Sequence, residues 1–242
     1  MSGSELDLIG GVPFLDARFA PRRLMAAVVA VRQSHAARAG LPSPADPSHL
    51  LIPEHACAVR FDASEVPSLP LSQDEDKGVS DALGRLEEAM PMWTPLLWSL
   101  PVRYARIASG TSLSASSFWW PQHILLGAET LASELEMREH VLHEHCHQWL
   151  YLVEELWDID LPGAPTFTLP SGTSGRSPRE VIGAAHVAAA LVRMYNAVGE
   201  EQQIGPLKQY GWGCIQLLES PQVARYLTPV GAQITQRIKE EL

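Results

Sequence analysis

The chain has 242 residues, 46% of them hydrophobic, enough for a sizeable buried core, and a formal net charge of -10. That acidic balance and the lack of any Lys/Arg run exclude nucleic acid as a default partner. No stretch approaches the roughly 18–20 uninterrupted apolar residues of a membrane span, and residues 1–16 lack the basic start of a secretory leader, so neither is expected.

In chain order, residues 22–39 form an alanine-rich helix stopped by Gly40 and a Pro-rich stretch over 41–53. A strand is predicted over 57–61, an acidic polar loop around 72–77, and a helix over 81–89 that ends in the Pro91 and Pro95 region. Segments 104–108 and 118–126 are rich in aromatic and β-branched residues and read as strands, with 111–117 as their hairpin connection. Helix signals follow over 134–157, then a Pro/Gly/Ser/Thr loop over 161–177 and an apolar helix over 179–197, with Pro178 in its first turn and Gly199 as its stop. Residues 204–242 read as two further helices split near Pro221 and Pro229. The fold class expected is α+β: mostly helical, with a small antiparallel sheet beside the long helix. Residues 1–60 are an N-terminal segment that could stand apart from a catalytic domain over 61–242. Cys57, Cys146 and Cys214 are scattered and odd in number, which suits a reducing cytoplasm better than a disulfide framework.

The chemistry sits in the long helix, where His143-Glu-His-Cys-His147 forms an H-E-x-x-H pattern. Ser133 and Glu136 give a capping box at the helix start. At about 100° per residue, His143 and His147 share a face and can grip one metal ion, with Glu144 beside the vacant side. His140 and Glu154 lie on that face too, His145 points nearly opposite, and Cys146 at its edge is a buried thiol rather than a ligand. A histidine-rich core helix bonded to neighbouring carbonyls is the plain alternative. Three imidazoles on one face beside a carboxylate favour metal.

A third ligand is required. Leu150 and Val153 occupy the positions where a metzincin carries Gly and His, so that class is excluded. Glu154 lies two turns from His147, roughly 10 Å along the axis, and is poorly placed. Glu180 and His186 remain. His186 is the one polar side chain in an otherwise apolar run over 181–191, and the small residues Gly183, Ala184 and Ala185 allow close helix packing. His186 is favoured.

Residues 69–199 resemble the H-E-x-x-H proteins of peptide-modification gene clusters, the iron- and 2-oxoglutarate-dependent peptide β-hydroxylase family. The resemblance rests on Leu142-His-Glu-His-Cys-His147, on Gly175-Arg-Ser-Pro-Arg179, and on Gly183-Ala-Ala-His186. In the family these correspond to a V-H-E-x-x-H-like motif, an S-P-W-R-x-D-P-R-P-like loop and a G-V-L-H-G-like helix. The chain departs from the pattern in having no Trp in the S-P-W-R position and in carrying Ser177, Glu180 and Val187 where the family has Asp, Pro and Gly. The resemblance implies Fe(II) on His143, His147 and His186, with 2-oxoglutarate as co-substrate and its distal carboxylate on Arg179 or Arg176, whose planar forks suit a carboxylate. It implies hydroxylation of an amino-acid side chain in a peptide or small amino-acid-derived substrate, with Glu144 close to the metal but not a proteolytic base.

Imidazole ligands suit Zn(II) as well as Fe(II). A zinc hydrolase of peptidase type, with Glu144 as general base and segment 118–126 as the edge that aligns substrate, is the competing reading. An inert binding module that keeps a structural metal or none is the third.

Overall fold

Proline in the first turn, with small or long-chain residues behind it, starts several of the helices. The computed structural model describes residues 5–42, 44–60, 66–110 and 112–242. Helix α1 spans Pro21–Arg38 and α2 spans Pro53–Arg60. The strand expected over 57–61 is therefore helix up to residue 60, and residue 61 lies outside the described ones. Pro53, Ala56 and Cys57 are the buried positions, at the i, i+3, i+4 spacing of a helix rather than the alternation of a strand. The polar loop expected at 72–77 is a helix start. Ser72 accepts from the Glu75 amide at 3.3 Å while the Glu75 carboxylate accepts from the Ser72 amide at 2.8 Å, so α3 runs Gln73–Ala89. A short α4, Thr94–Trp98, follows.

The sheet is built from β1 (Ser68–Leu69), β2 (Arg103–Ile107), β3 (Ser114–Ser117) and β4 (Trp120–Leu126), in the order β1-β2-β4-β3. It is mixed, not antiparallel as expected: β2 and β4 run parallel, with Tyr104 opposite Ile124. The segment expected as a plain connection carries β3, which pairs antiparallel with β4 and so turns the chain back to lie beside β2. Residue 111 lies outside the described ones. β4 is central and buried from Pro121 to Leu126, so its polar residues Gln122 and His123 are buried with it.

After α5 (Ala128–Ala132), α6 spans Glu134–Glu154 and stops short of residue 157. Ser133 caps it by accepting from the Glu136 amide at 3.3 Å. Val141, Leu142, Cys146, Trp149, Leu152 and Val153 are buried, and the Trp149 indole donates to the Leu96 carbonyl at 2.8 Å. A buried polar network pins α6 to its neighbours. Arg32 forms a two-pronged pair with Glu155 at 3.0 and 2.7 Å and donates to the Gln122 side chain at 2.7 Å. Gln148 accepts from the Gln122 amide at 2.7 Å and donates to the His123 carbonyl at 2.9 Å. Gln122 holds a left-handed backbone, φ 61°, which this network secures.

The remaining helices are α7 (Pro178–Val198), α8 (Glu201–Glu219), α9 (Pro221–Ala224) and α10 (Pro229–Glu241). Ser177 and Glu180 form a capping box ahead of α7, and Gly199 closes it at φ 75°, a conformation that favours glycine. By length and composition α7 could cross a membrane, but 72% of its most apolar window is buried inside the protein. Side chains of α7 and α10 hold three consecutive carbonyls of the N-terminal segment: His186 contacts Pro13 at 2.7 Å, Arg193 donates to Phe14 at 3.2 Å, and Arg237 donates to Leu15 at 2.6 Å. Phe14 between them is buried at φ 63°.

The fold class is α+β, mostly helical with one small sheet. Two compact units are present, Pro21–Leu156 and Met1–Ala20 with Trp157–Leu242. The division does not fall near residue 60: residues 21–60 belong with the H-E-x-x-H helix, and the first twenty with the C-terminal helices.

Candidate metal centre

One helical turn separates His143 from His147, and their Nε2 atoms lie 3.2 Å apart with ring centroids at 4.9 Å. Two ligands bound side by side at about 2.0–2.1 Å from one cation have this kind of separation. His143 keeps 34% of its side chain exposed, so the pair opens outward. The Tyr151 ring lies nearly parallel to His147, 16° between planes at 6.0 Å, and Phe118 meets Tyr151 edge-on at 6.0 Å.

Glu144 is only 2% exposed, and its Oε1 lies 3.9 Å from His143 Nε2. Ser116 donates to its other oxygen. Burial pushes this carboxyl up, but His143, His147 and the Ser114 and Ser116 hydroxyls outweigh it and hold the group below the usual carboxylate range. Burial also holds the His143 imidazole below its ordinary value, with Glu144 working against that shift. A carboxylate beside two imidazoles is a donor set that fits a divalent cation.

His140 is engaged otherwise, and His145, whose buried Nδ1 like that of His186 has no hydrogen-bond partner among the described residues, lies on the opposite face. His140 has Nδ1 2.9 Å from Ser114 Oγ and Nε2 3.3 Å from Glu136, so both ring nitrogens are engaged. His145 faces away, as its place on the helical wheel implies, and shares a hydrogen bond with the Tyr104 hydroxyl; burial lowers its pKa to about 4. Cys146 is buried and its thiol pushed well up by that burial, so it stays protonated.

The third-ligand candidates stand in different states. Glu180 has Oε1 on Arg176 at 2.7 Å and Oε2 on the Ser177 amide and hydroxyl at 2.8 and 2.9 Å. His186 is fully buried, with Nε2 on the Pro13 carbonyl, and burial lowers its pKa to about 4. Its Nδ1 is buried with no hydrogen-bond partner among the described residues. The Arg179 amide bonds to Asp160 at 3.2 Å and its side chain is exposed at the first turn of α7. Among the described residues no three His, Cys, Asp or Glu side chains are grouped to hold a metal. His143 and His147 lie together with Glu144 beside them, within the unit Pro21–Leu156; His186, Arg176 and Arg179 belong to the other unit.

Sequence reasoning passed over Ser114, Ser116 and Tyr151. The alternation of serines at 114 and 116 was the available signal, because in a strand it puts both on one face.

No protein-family model matches the chain, and no curated protein matches it.

Proposed function

We propose that this chain is an Fe(II)- and 2-oxoglutarate-dependent hydroxylase acting on an amino-acid side chain of a peptide or amino-acid-derived substrate. The observation that carries this reading is the contrast between the two third-ligand candidates. Both carboxylate oxygens of Glu180 are engaged at a helix start, whereas His186 has one nitrogen oriented by a carbonyl and the other without a hydrogen-bond partner among the described residues. Metal-binding imidazoles are held in this manner, one nitrogen fixed by an acceptor so that the other can bind. We therefore assign His143, His147 and His186 as ligands. The resemblance described above selects Fe(II) from the metals that three imidazoles suit.

Iron, when bound, couples oxidative decarboxylation of 2-oxoglutarate to substrate hydroxylation. The chain's own residues supply the rest. Ser116 fixes the Glu144 carboxylate, which accepts hydrogen bonds at the centre, and Tyr151 walls His147. Arg179 and Arg176 are the residues we assign to the distal carboxylate of the co-substrate. The three cysteines are free and buried, which supports a reducing compartment such as the cytoplasm.

Glu144 favours a second reading, a zinc hydrolase. A buried, ionised carboxylate 3.9 Å from a ligand nitrogen is placed to take a proton from water. Anaerobic titration of metal-free protein with Fe(II) and then 2-oxoglutarate separates the two. A visible charge-transfer band that needs both components and is lost in His186→Ala is the outcome expected. No band, with zinc retained tightly by the wild type and Glu144→Gln inactive yet metal-loaded, overturns the oxygenase in favour of the hydrolase.

A further inference from the structure

Outside the His143–His147 pair, one set of side chains has the pattern of an activated nucleophile: a hydroxyl, a base within hydrogen-bond reach of it, and an acid that orients the base. Ser114 Oγ lies 2.9 Å from His140 Nδ1, and His140 Nε2 lies 3.3 Å from the Glu136 carboxylate one helical turn earlier. An ionised Glu136 only accepts, so it takes the Nε2 proton. That leaves the Nδ1 lone pair facing Ser114, whose hydroxyl donates to it. The hydroxyl also reaches Glu144, an acceptor that Ser116 already supplies.

The strand supplies a further element. β3 lies at the end of the sheet, beside β4. The Gly127 amide donates to the Leu113 carbonyl at 2.8 Å, and Ser114 stands opposite Leu126 one place on. Antiparallel residues alternate between pairs that exchange hydrogen bonds and pairs whose amides face outward, so the Ser114 amide points away from β4. A nucleophile's own amide is a donor for the oxyanion that forms on its substrate. Ser114 is half-buried and His140 keeps 14% of its side chain exposed, so both are reached from solvent.

We propose that Ser114 and His140, oriented by Glu136, form a second catalytic centre that hydrolyses carboxylic esters without a metal. Ser114 Oγ attacks the ester carbonyl carbon as its proton passes to His140 Nδ1. The C–O bond to the alcohol breaks, and the departing oxygen takes that proton from His140. Water then attacks the acyl-serine by the same route, releases the carboxylic acid and restores Ser114. Glu136 keeps 43% of its side chain exposed, which weakens its hold on the imidazole. Esters are therefore the substrates in place of amides, whose leaving nitrogen demands more of the acid that protonates it. The centre goes beyond the H-E-x-x-H reading and shares none of its assigned ligands.

The test treats the full chain, with and without chelator, with a fluorophosphonate, which loses fluoride as its phosphorus bonds to serine, and with p-nitrophenyl acetate. Expected are an adduct on Ser114 by peptide mass spectrometry and a p-nitrophenolate burst of about one equivalent, neither altered by chelator. Ser114→Ala removes both, His140→Gln slows both about a hundredfold, and Glu136→Gln lowers kcat about tenfold at unchanged KM. Ser114→Cys guards against a variant that merely misfolds: its thiol is expected to react with iodoacetamide about tenfold faster than in the Ser114→Cys, His140→Gln double variant. No adduct at Ser114, or labelling and alkylation indifferent to His140, overturns the proposal. Ester turnover lost on chelation assigns hydrolysis to the metal centre and overturns it as well.

Discussion

On one side of α6, Gln148 clamps the Gln122 amide and the His123 carbonyl while Glu155, just past the helix end, holds Arg32; every one of these groups is engaged inside the protein. On the side carrying His143, Glu144 and His147, the same helix points imidazole nitrogens and a carboxylate towards a half-open position. The first arrangement is closed and supports the fold. The second is partly exposed at His143 and is the side we propose takes a metal.

Breaking each side should give opposite phenotypes. The largest effect expected is that of His147→Ala, which should abolish metal loading and turnover while changing the stability of the metal-free protein by under about 1 kcal/mol. Metal content and denaturant unfolding measure the two; a large stability loss with metal retained would make the pair structural. Arg32→Met strands Glu155 in the interior and should cost about 3–5 kcal/mol by denaturant midpoint, leaving metal affinity intact. Gln148→Leu should cost about 1–3 kcal/mol by the same measurement, since it leaves the Gln122 amide and His123 carbonyl unpaired. Ser116→Ala, which removes one bond to a charged group, should lower turnover about tenfold with metal affinity preserved.

The smallest effect sharpens the comparison by pH. Burial holds the His123 imidazole below its ordinary 6.5, so the unfolded chain takes up the proton first as pH falls. Stability is therefore full above about 6.5 and declines below it. Burial lowers His145 and His186 too, to about 4, so His123→Asn should reduce that decline only in part in urea midpoints measured from pH 7 to 5; an unchanged slope would assign the titration to those two.

Much of the site side was legible because it is local. The i, i+4 pairing of His143 and His147, the opposite placing of His145 and the burial of Cys146 all follow from one helical period. The closed side was not legible, because Arg32, Gln122 and Glu155 meet through contacts distant in sequence. The α2 error came from a short apolar run, which fits strand and helix until burial spacing decides. The α3 start was missed although Ser72 and Glu75 spelled a capping box, and β3 because four small residues carry almost no periodic signal.

The segment around Phe14 has a consequence for the order of synthesis. Its carbonyls depend on His186, Arg193 and Arg237, which are synthesised 173, 179 and 222 residues later, whereas Pro21–Leu156 is one uninterrupted stretch. The helix with the H-E-x-x-H motif has all of its unit's partners available early in translation. The carbonyls of Pro13, Phe14 and Leu15 wait for those later side chains, whereas the turns within residues 6–20 close on local hydrogen bonds.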